Sequence, residues 1–155
     1  MTRTDAFVAF FETMQPSSLD RIGDHFAADA HFVDPFNDVR GLPAIRGVFE
    51  HMFATCETPR FEVVQQLVEG DTAFLYWHFV FGAADRRRRV TGVTRLQFDA
   101  TGKVREHLDF WDPARQLYED IPVLGTLLRA LRRRLAARIA GAGAGNHPTT
   151  QEHPT

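Results

Sequence analysis

The feature that most constrains this chain is a change of hydrophobic period at Phe61. From there side chains alternate two by two through four stretches, residues 60–69, 72–83, 88–98 and 103–111, divided by Gly70-Asp71, a turn near Ala84-Asp85 and Ala100-Thr101-Gly102. Connections this short join antiparallel neighbours, because a parallel crossover needs about a dozen residues or more. Strands in a run, preceded by a region of helical period, predict helices packed on one face of an antiparallel sheet, an α+β fold.

The helical region divides in three. Phe7, Phe10, Phe11 and Met14 recur at helical spacing, and Leu19, Ile22 and Phe26 follow Pro16-Ser17-Ser18, where a serine can cap a second helix. His31 to Asp34 read as a brief strand stopped by Pro35, since proline offers no ladder donor and holds its predecessor extended. Gly41-Leu42-Pro43 opens a third helix whose apolar stripe is Ile45, Val48, Phe49, Met52 and Phe53.

Beyond Asp112-Pro113 a short helix through Tyr118 and a longer one from near Pro122 are expected. Leu124, Leu127, Leu128, Leu131, Leu135 and Ile139 share one face of the longer helix, with Arg129, Arg132, Arg133, Arg134 and Arg138 largely elsewhere. The division expected is a domain over 1–115, a helical extension over 116–140 and a disordered tail over 141–155.

Composition narrows the function classes. A chain of 155 residues, 44% hydrophobic, buries one core, and a formal charge of -2 supplies no field that draws it to nucleic acid or anionic lipid. The single cysteine, Cys56, excludes an intrachain disulfide and points to a reducing compartment; with no secretory leader or eighteen-residue apolar run, the expected location is cytoplasmic. Fourteen phenylalanines suit a core or ligand cavity walled by rings that need no hydrogen-bond partner. Arg86 to Arg89 read as a solvated hairpin turn without the interleaved aromatics that nucleic-acid binding uses, so no nucleic-acid partner is expected. Contact of the basic C-terminal helix with a membrane surface is weighed against packing of its leucines, and packing is favoured.

Three stretches carry a resemblance. They are Leu19 through Phe26-Ala27-Ala28-Asp29-Ala30 to Phe32-Val33-Asp34-Pro35, then Arg40-Gly41-Leu42-Pro43-Ala44-Ile45-Arg46, and finally Leu96-Gln97-Phe98-Asp99 with Gly102-Lys103-Val104. In order and spacing they resemble the nuclear transport factor 2-like superfamily, which includes ketosteroid isomerases, SnoaL-like polyketide cyclases and scytalone dehydratase. The resemblance implies a cone-shaped domain in which a curved antiparallel sheet and three N-terminal helices enclose a pocket, a cystatin-like roll that is often dimeric. It also implies cofactor-free chemistry on a small apolar organic ligand.

Site residues follow from alternation and from that likeness. If Tyr76 and Val80 face the helices, His78 does too, and Trp77, Phe79 and Phe81 emerge on the convex face, where an apolar row would be covered by the C-terminal helix or, as favoured, by a second copy in a homodimer. The likeness assigns His107, Asp109 and Trp111 of the last strand to the cavity, with Thr94 from its neighbour. Phe10, Phe49, Phe53 and Tyr76 would join Trp111 in walling the apolar end.

In the likeness Asp34 is the general base, and a carboxylate in an apolar cavity gains basicity; the alternative is an Asp-Pro turn residue bonding nearby amides. His78 would orient Asp34 or shuttle its proton, or else be a core histidine with one local partner. A metal site from Asp34, His78, His107 and Asp109 has no diagnostic spacing and is not expected. Phe10 and Thr94 occupy the positions of the two oxyanion donors of ketosteroid isomerase, which argues against a steroid isomerase.

The leading expectation is isomerase- or cyclase-like proton transfer with Asp34 as base, His78 assisting, and His107 and Asp109 at the polar end of the ligand. Its alternatives are a dehydratase using Asp34 with His78 and His107, and a non-catalytic binding or scaffolding domain. An epoxide hydrolase is disfavoured because its Asp-Arg-Asp constellation is not recognisable.

Overall fold

A computed structural model describes residues 1–118 together with 125, 126, 129, 130 and 133. The long C-terminal helix and the tail expected from the sequence lie outside the described residues. Helix α1 (Arg3–Glu12) begins in a reciprocal cap. The Thr2 hydroxyl accepts from the Asp5 amide at 3.1 Å while the Asp5 carboxylate accepts from the Thr2 amide at 2.9 Å. A 3-10 segment (Pro16–Arg21) leads into the single turn α2 (Ile22–His25), then β1 (Phe26–Val33), β2 (Asp38–Arg40) and α3 (Leu42–Thr55). Strands β3 (Arg60–Glu69), β4 (Thr72–Phe81), β5 (Arg88–Phe98) and β6 (Val104–Phe110) follow, and α4 (Pro113–Gln116) comes last.

Strand β1 begins at Phe26, not at His31 as its local pattern suggested. Ala27, Ala28, Asp29 and Ala30 are weak strand formers and lie in an irregular stretch of the ladder, between the pairing of Phe26 with Val104 and that of Phe32 with His107 in β6. That pairing is parallel; the rest are antiparallel, and the six described strands run in the order β2-β1-β6-β5-β4-β3. The curved sheet takes α1 and α3 on one face, where Phe7, Phe11, Phe26, Ile45, Leu75 and Leu96 are almost wholly buried. Each such phenylalanine or leucine contributes about 1.5–3 kcal/mol relative to exposure.

The face assignment of β4 is the reverse of the expectation. Ala73, Leu75 and Trp77 are 0%, 0% and 2% exposed and point to the helices with Phe79 and Phe81, whereas Phe74 and Tyr76 are 43% and 39% exposed on the outer face with His78. The physical reason is visible in the composition of the two sets. Ala73, Leu75, Trp77, Phe79 and Phe81 are uniformly apolar, while the alternate set contains Thr72, Tyr76 and His78, and the set with polar members faces water. Trp77, Phe79 and Phe81 therefore do not form a convex apolar row. Among the described residues no helix is long and apolar enough to cross a membrane.

Candidate functional site

Between the concave sheet face and α3 lies a cavity of about 480 Å³, the size of a small-ligand site. Its walls come from several elements at once. Phe11 enters from α1, Val48, Phe49 and Met52 from one stripe of α3, Phe61 from β3, and Trp77, Phe79 and Phe81 from β4. The rings pack as edge-on and tilted pairs, Phe61 lying 5.7 Å from Trp77 and 4.7 Å from Phe79 between centroids. Phe36, Trp111, Leu117 and Tyr118 make the rim. Gln116 sets that rim: its side-chain amide exchanges two hydrogen bonds with the backbone of Thr91, at 2.6 and 3.0 Å, and so continues the ladder where β6 has ended.

Of the residues expected in the site, Asp34, Phe49, Asp109 and Trp111 line the cavity. Phe10 does not; it stacks on His25 at 4.1 Å, because the α1 face toward the sheet is that of Phe7 and Phe11, one turn apart. Burial among apolar neighbours lowers the pKa of His25 at that contact. Phe53 packs at the margin of the core and is also absent from the wall, which α3 presents through Val48, Phe49 and Met52. Tyr76 and His78 are on the far side of the sheet, where His78 Nδ1 meets the Thr91 hydroxyl at 3.1 Å, so His78 and Asp34 do not share a hollow. Thr94 and His107 are wholly buried and stand behind Asp109 instead of touching the cavity.

Asp34 closes the turn between β1 and β2. Its Oδ1 accepts from the amides of Phe36 and Asn37, both at 2.7 Å, and from Asn37 Nδ2 at 3.0 Å, while Oδ2 accepts from Asn37 Nδ2 at 2.9 Å. These bonds occupy most of what a carboxylate can accept.

Asp109 is differently placed. Its side chain is 10% exposed and faces the cavity, and its Oδ1 accepts from the Thr94 hydroxyl and, at 2.9 Å, from Nε2 of His107. No described residue donates to Oδ2. His107 is clasped by rings, stacked on Phe32 at 4.5 Å with Phe7, Phe11 and Phe26 about it, and its Nδ1 is buried without a partner. Trp77 Nε1 donates to Thr94 Oγ1 at 2.7 Å, completing a chain from Trp77 through Thr94 to Asp109.

Sequence reasoning missed several lining residues. Trp77, Phe79 and Phe81 were legible from the uniform apolarity of their set, and Phe11 from its i, i+4 relation to Phe7. Arg88, read as part of a solvated turn, lies on the cavity wall beside Val90. Its place as the first residue of β5, paired with Phe81, brings it there. Among the described residues no three His, Cys, Asp or Glu side chains are grouped to hold a metal ion.

Comparisons with known proteins agree with this architecture. The sequence model of the SnoaL-like domain family matches residues 7–107. No curated protein matches the chain. Among solved structures, a hypothetical protein of ketosteroid isomerase-like fold from Catenulispora acidiphila, in complex with trimethylamine, superposes with a TM-score of 0.63 at 20% identity, over 76% of this chain and 92% of that one. An epoxide hydrolase of the LEH-like type from M. tuberculosis gives 0.63 at 13% identity, over 83% and 96%. A candidate SnoaL-like polyketide cyclase from Shewanella putrefaciens gives 0.62 at 17%, over 74% and 95%. At such identities the likeness shows the fold, which here accompanies different chemistries.

Proposed function

Since the chain belongs to the SnoaL-like domain family, we propose that it binds a small hydrophobic organic molecule in the aromatic cavity and moves a proton on it, in the manner of an isomerase or cyclase, with Asp109 as acid and base. The observation that carries this reading is the asymmetry of the Asp109 carboxylate. Among the described residues two donors meet one oxygen and none meets the other, on a side chain that lines a largely apolar hollow. Such an oxygen is complementary to a ligand hydrogen and is poorly solvated, two properties asked of a general base.

Asp34 serves the turn in this reading, because four hydrogen bonds from Phe36 and Asn37 engage its carboxylate. A dehydratase using Asp34 with His78 and His107 has less support, since His78 lies on the opposite side of the sheet and His107 is buried away from the cavity. The complex of a structurally similar protein with trimethylamine is in keeping with a small organic ligand.

A second copy of the chain is the occupant we assign to the outer sheet face. Tyr76, Val93 and Phe110 form one cross-strand row there, and beside it Arg95 pairs with Glu106. An apolar row flanked by both signs of charge is self-complementary under a twofold axis.

The test uses 5-nitrobenzisoxazole, a flat aromatic carbon acid whose opening requires only a base. Asp109 Oδ2 would take the C3 proton, the C–H electron pair would become the nitrile π bond, and the N–O bond would break to release the coloured phenolate. Asp109→Asn should lower turnover by at least about a hundredfold, while Asp34→Asn leaves it within about threefold. An undiminished rate in Asp109→Asn would remove Asp109 from the chemistry.

A further inference from the structure

We infer that Trp77 and Thr94, together with His107, are positioning residues that pin one oxygen of Asp109 and leave the other open to take a proton from a ligand in the cavity. This rests on the assignment of Asp109 as the proton-transferring group.

The argument is one of direction. An indole N–H can only donate, so at 2.7 Å from Trp77 Nε1 the Thr94 oxygen is an acceptor. Its own hydrogen then points along the remaining short contact, to Asp109 Oδ1. Nε2 of His107 faces that same oxygen at 2.9 Å and donates to it, which leaves Nδ1, unpartnered among rings, with the lone pair. His107 is thus a donor with no acceptor at its other end and no access to the cavity, so it holds Asp109 without relaying protons. Both donors converge on Oδ1, and no described residue donates to Oδ2.

Backbone space decides whether the indole can reach Thr94. Gly92 lies opposite Trp77 in the ladder, and a Cβ there would stand 2.5 Å from two carbons of the indole and 3.1 Å from Trp111 Cβ. The ring therefore lies over a bare stretch of β5, two residues from the hydroxyl it bonds. Trp77, Thr94 and His107 are each 2% exposed or less, so water does not compete for these donors.

Two measurements test the pinning of Asp109. With 5-nitrobenzisoxazole, Thr94→Val should lower kcat by at least about tenfold with KM within about twofold, and Thr94→Ser should restore kcat. An unchanged kcat in Thr94→Val, or equal impairment in Thr94→Ser, would overturn the inference, the latter by making the effect one of packing. A failure of the Asp109 assignment is separately visible, because Asp109→Asn would then retain the rate. Independently of turnover, the Trp77 indole N–H resonance in nitrogen-edited NMR should shift in Asp109→Asn and stay in place in Asp34→Asn. An indole signal indifferent to Asp109→Asn would refute the pinning chain whatever the rates.

Discussion

At the scale of single residues, Gly92 separates two physical effects of opposite sign. It sits within β5 and has no positive φ, so alanine is compatible with its backbone and would ordinarily stabilise a strand by about 0.5–1 kcal/mol. The Trp77 indole at 2.5 Å from the added methyl reverses this, since overpacking a core costs about 1–3 kcal/mol. Gly92→Ala should therefore lower the urea midpoint and increase the solvent exchange of the Trp77 indole N–H; an increase in midpoint would show that the ring is not seated as described. Asp109 and Asp34 teach a related lesson. Both are aspartates on the cavity wall, and their difference lies in which donors each one meets, the amides of its own turn for Asp34 and two buried side chains for Asp109.

At the scale of elements, α1 carries a local device with a definite pH signature. The Thr2 amide, the Gln66 side chain and the Thr2 hydroxyl all favour the ionised Asp5 carboxyl and lower its pKa from 3.8 to about 2. A folded-state pKa below the unfolded one means that the cap stabilises fully above the unfolded value and loses its contribution as pH falls through the folded one. Asp5→Asn should thus melt below wild type near neutral pH, and the gap should close as pH falls from about 4 to about 2. Thermal melts that show a constant gap across that interval would disprove the role of the charge. The same bond from Gln66, at 3.0 Å, ties α1 to β3, so the cap is also a point of tertiary attachment.

At the scale of the whole molecule, the sheet has two faces with different tasks. The inner one, with α1 and α3, encloses the cavity, and the outer one exposes Phe74, Tyr76 and Phe110 at 43%, 39% and 58%. Apolar side chains gathered on one face are the mark of an interface. If a second copy covers them, light scattering of the wild type should give twice the chain mass, and Tyr76→Lys with Phe110→Lys should give the monomer with unchanged far-UV circular dichroism. A wild-type monomer at high concentration would defeat the assignment. A fold shared with an epoxide hydrolase and a candidate polyketide cyclase does not by itself select a reaction.

The amino-acid sequence alone determined the order of the helices and of the strands other than β2, the turn at Asp34-Pro35, the ends of β3 to β6 within a residue or two and the family likeness. All of these depend on neighbours within a few residues: period, caps and turn chemistry. Side-chain direction on β4 is also local information, written in the uniform apolarity of Ala73, Leu75, Trp77, Phe79 and Phe81 against the polar members Thr72, Tyr76 and His78 of the alternate set. What the tertiary structure decided was long-range pairing. The parallel match of β1 with β6 takes hold on both sides of the weak β-formers Ala27 to Ala30, and the register of β4 on β5 seats Trp77 over Gly92. The register of β5 on β6 puts Thr94 beside Asp109. A hydrogen bond between residues far apart in the chain leaves no periodic trace in the sequence, and the grouping at Asp109 consists of such bonds.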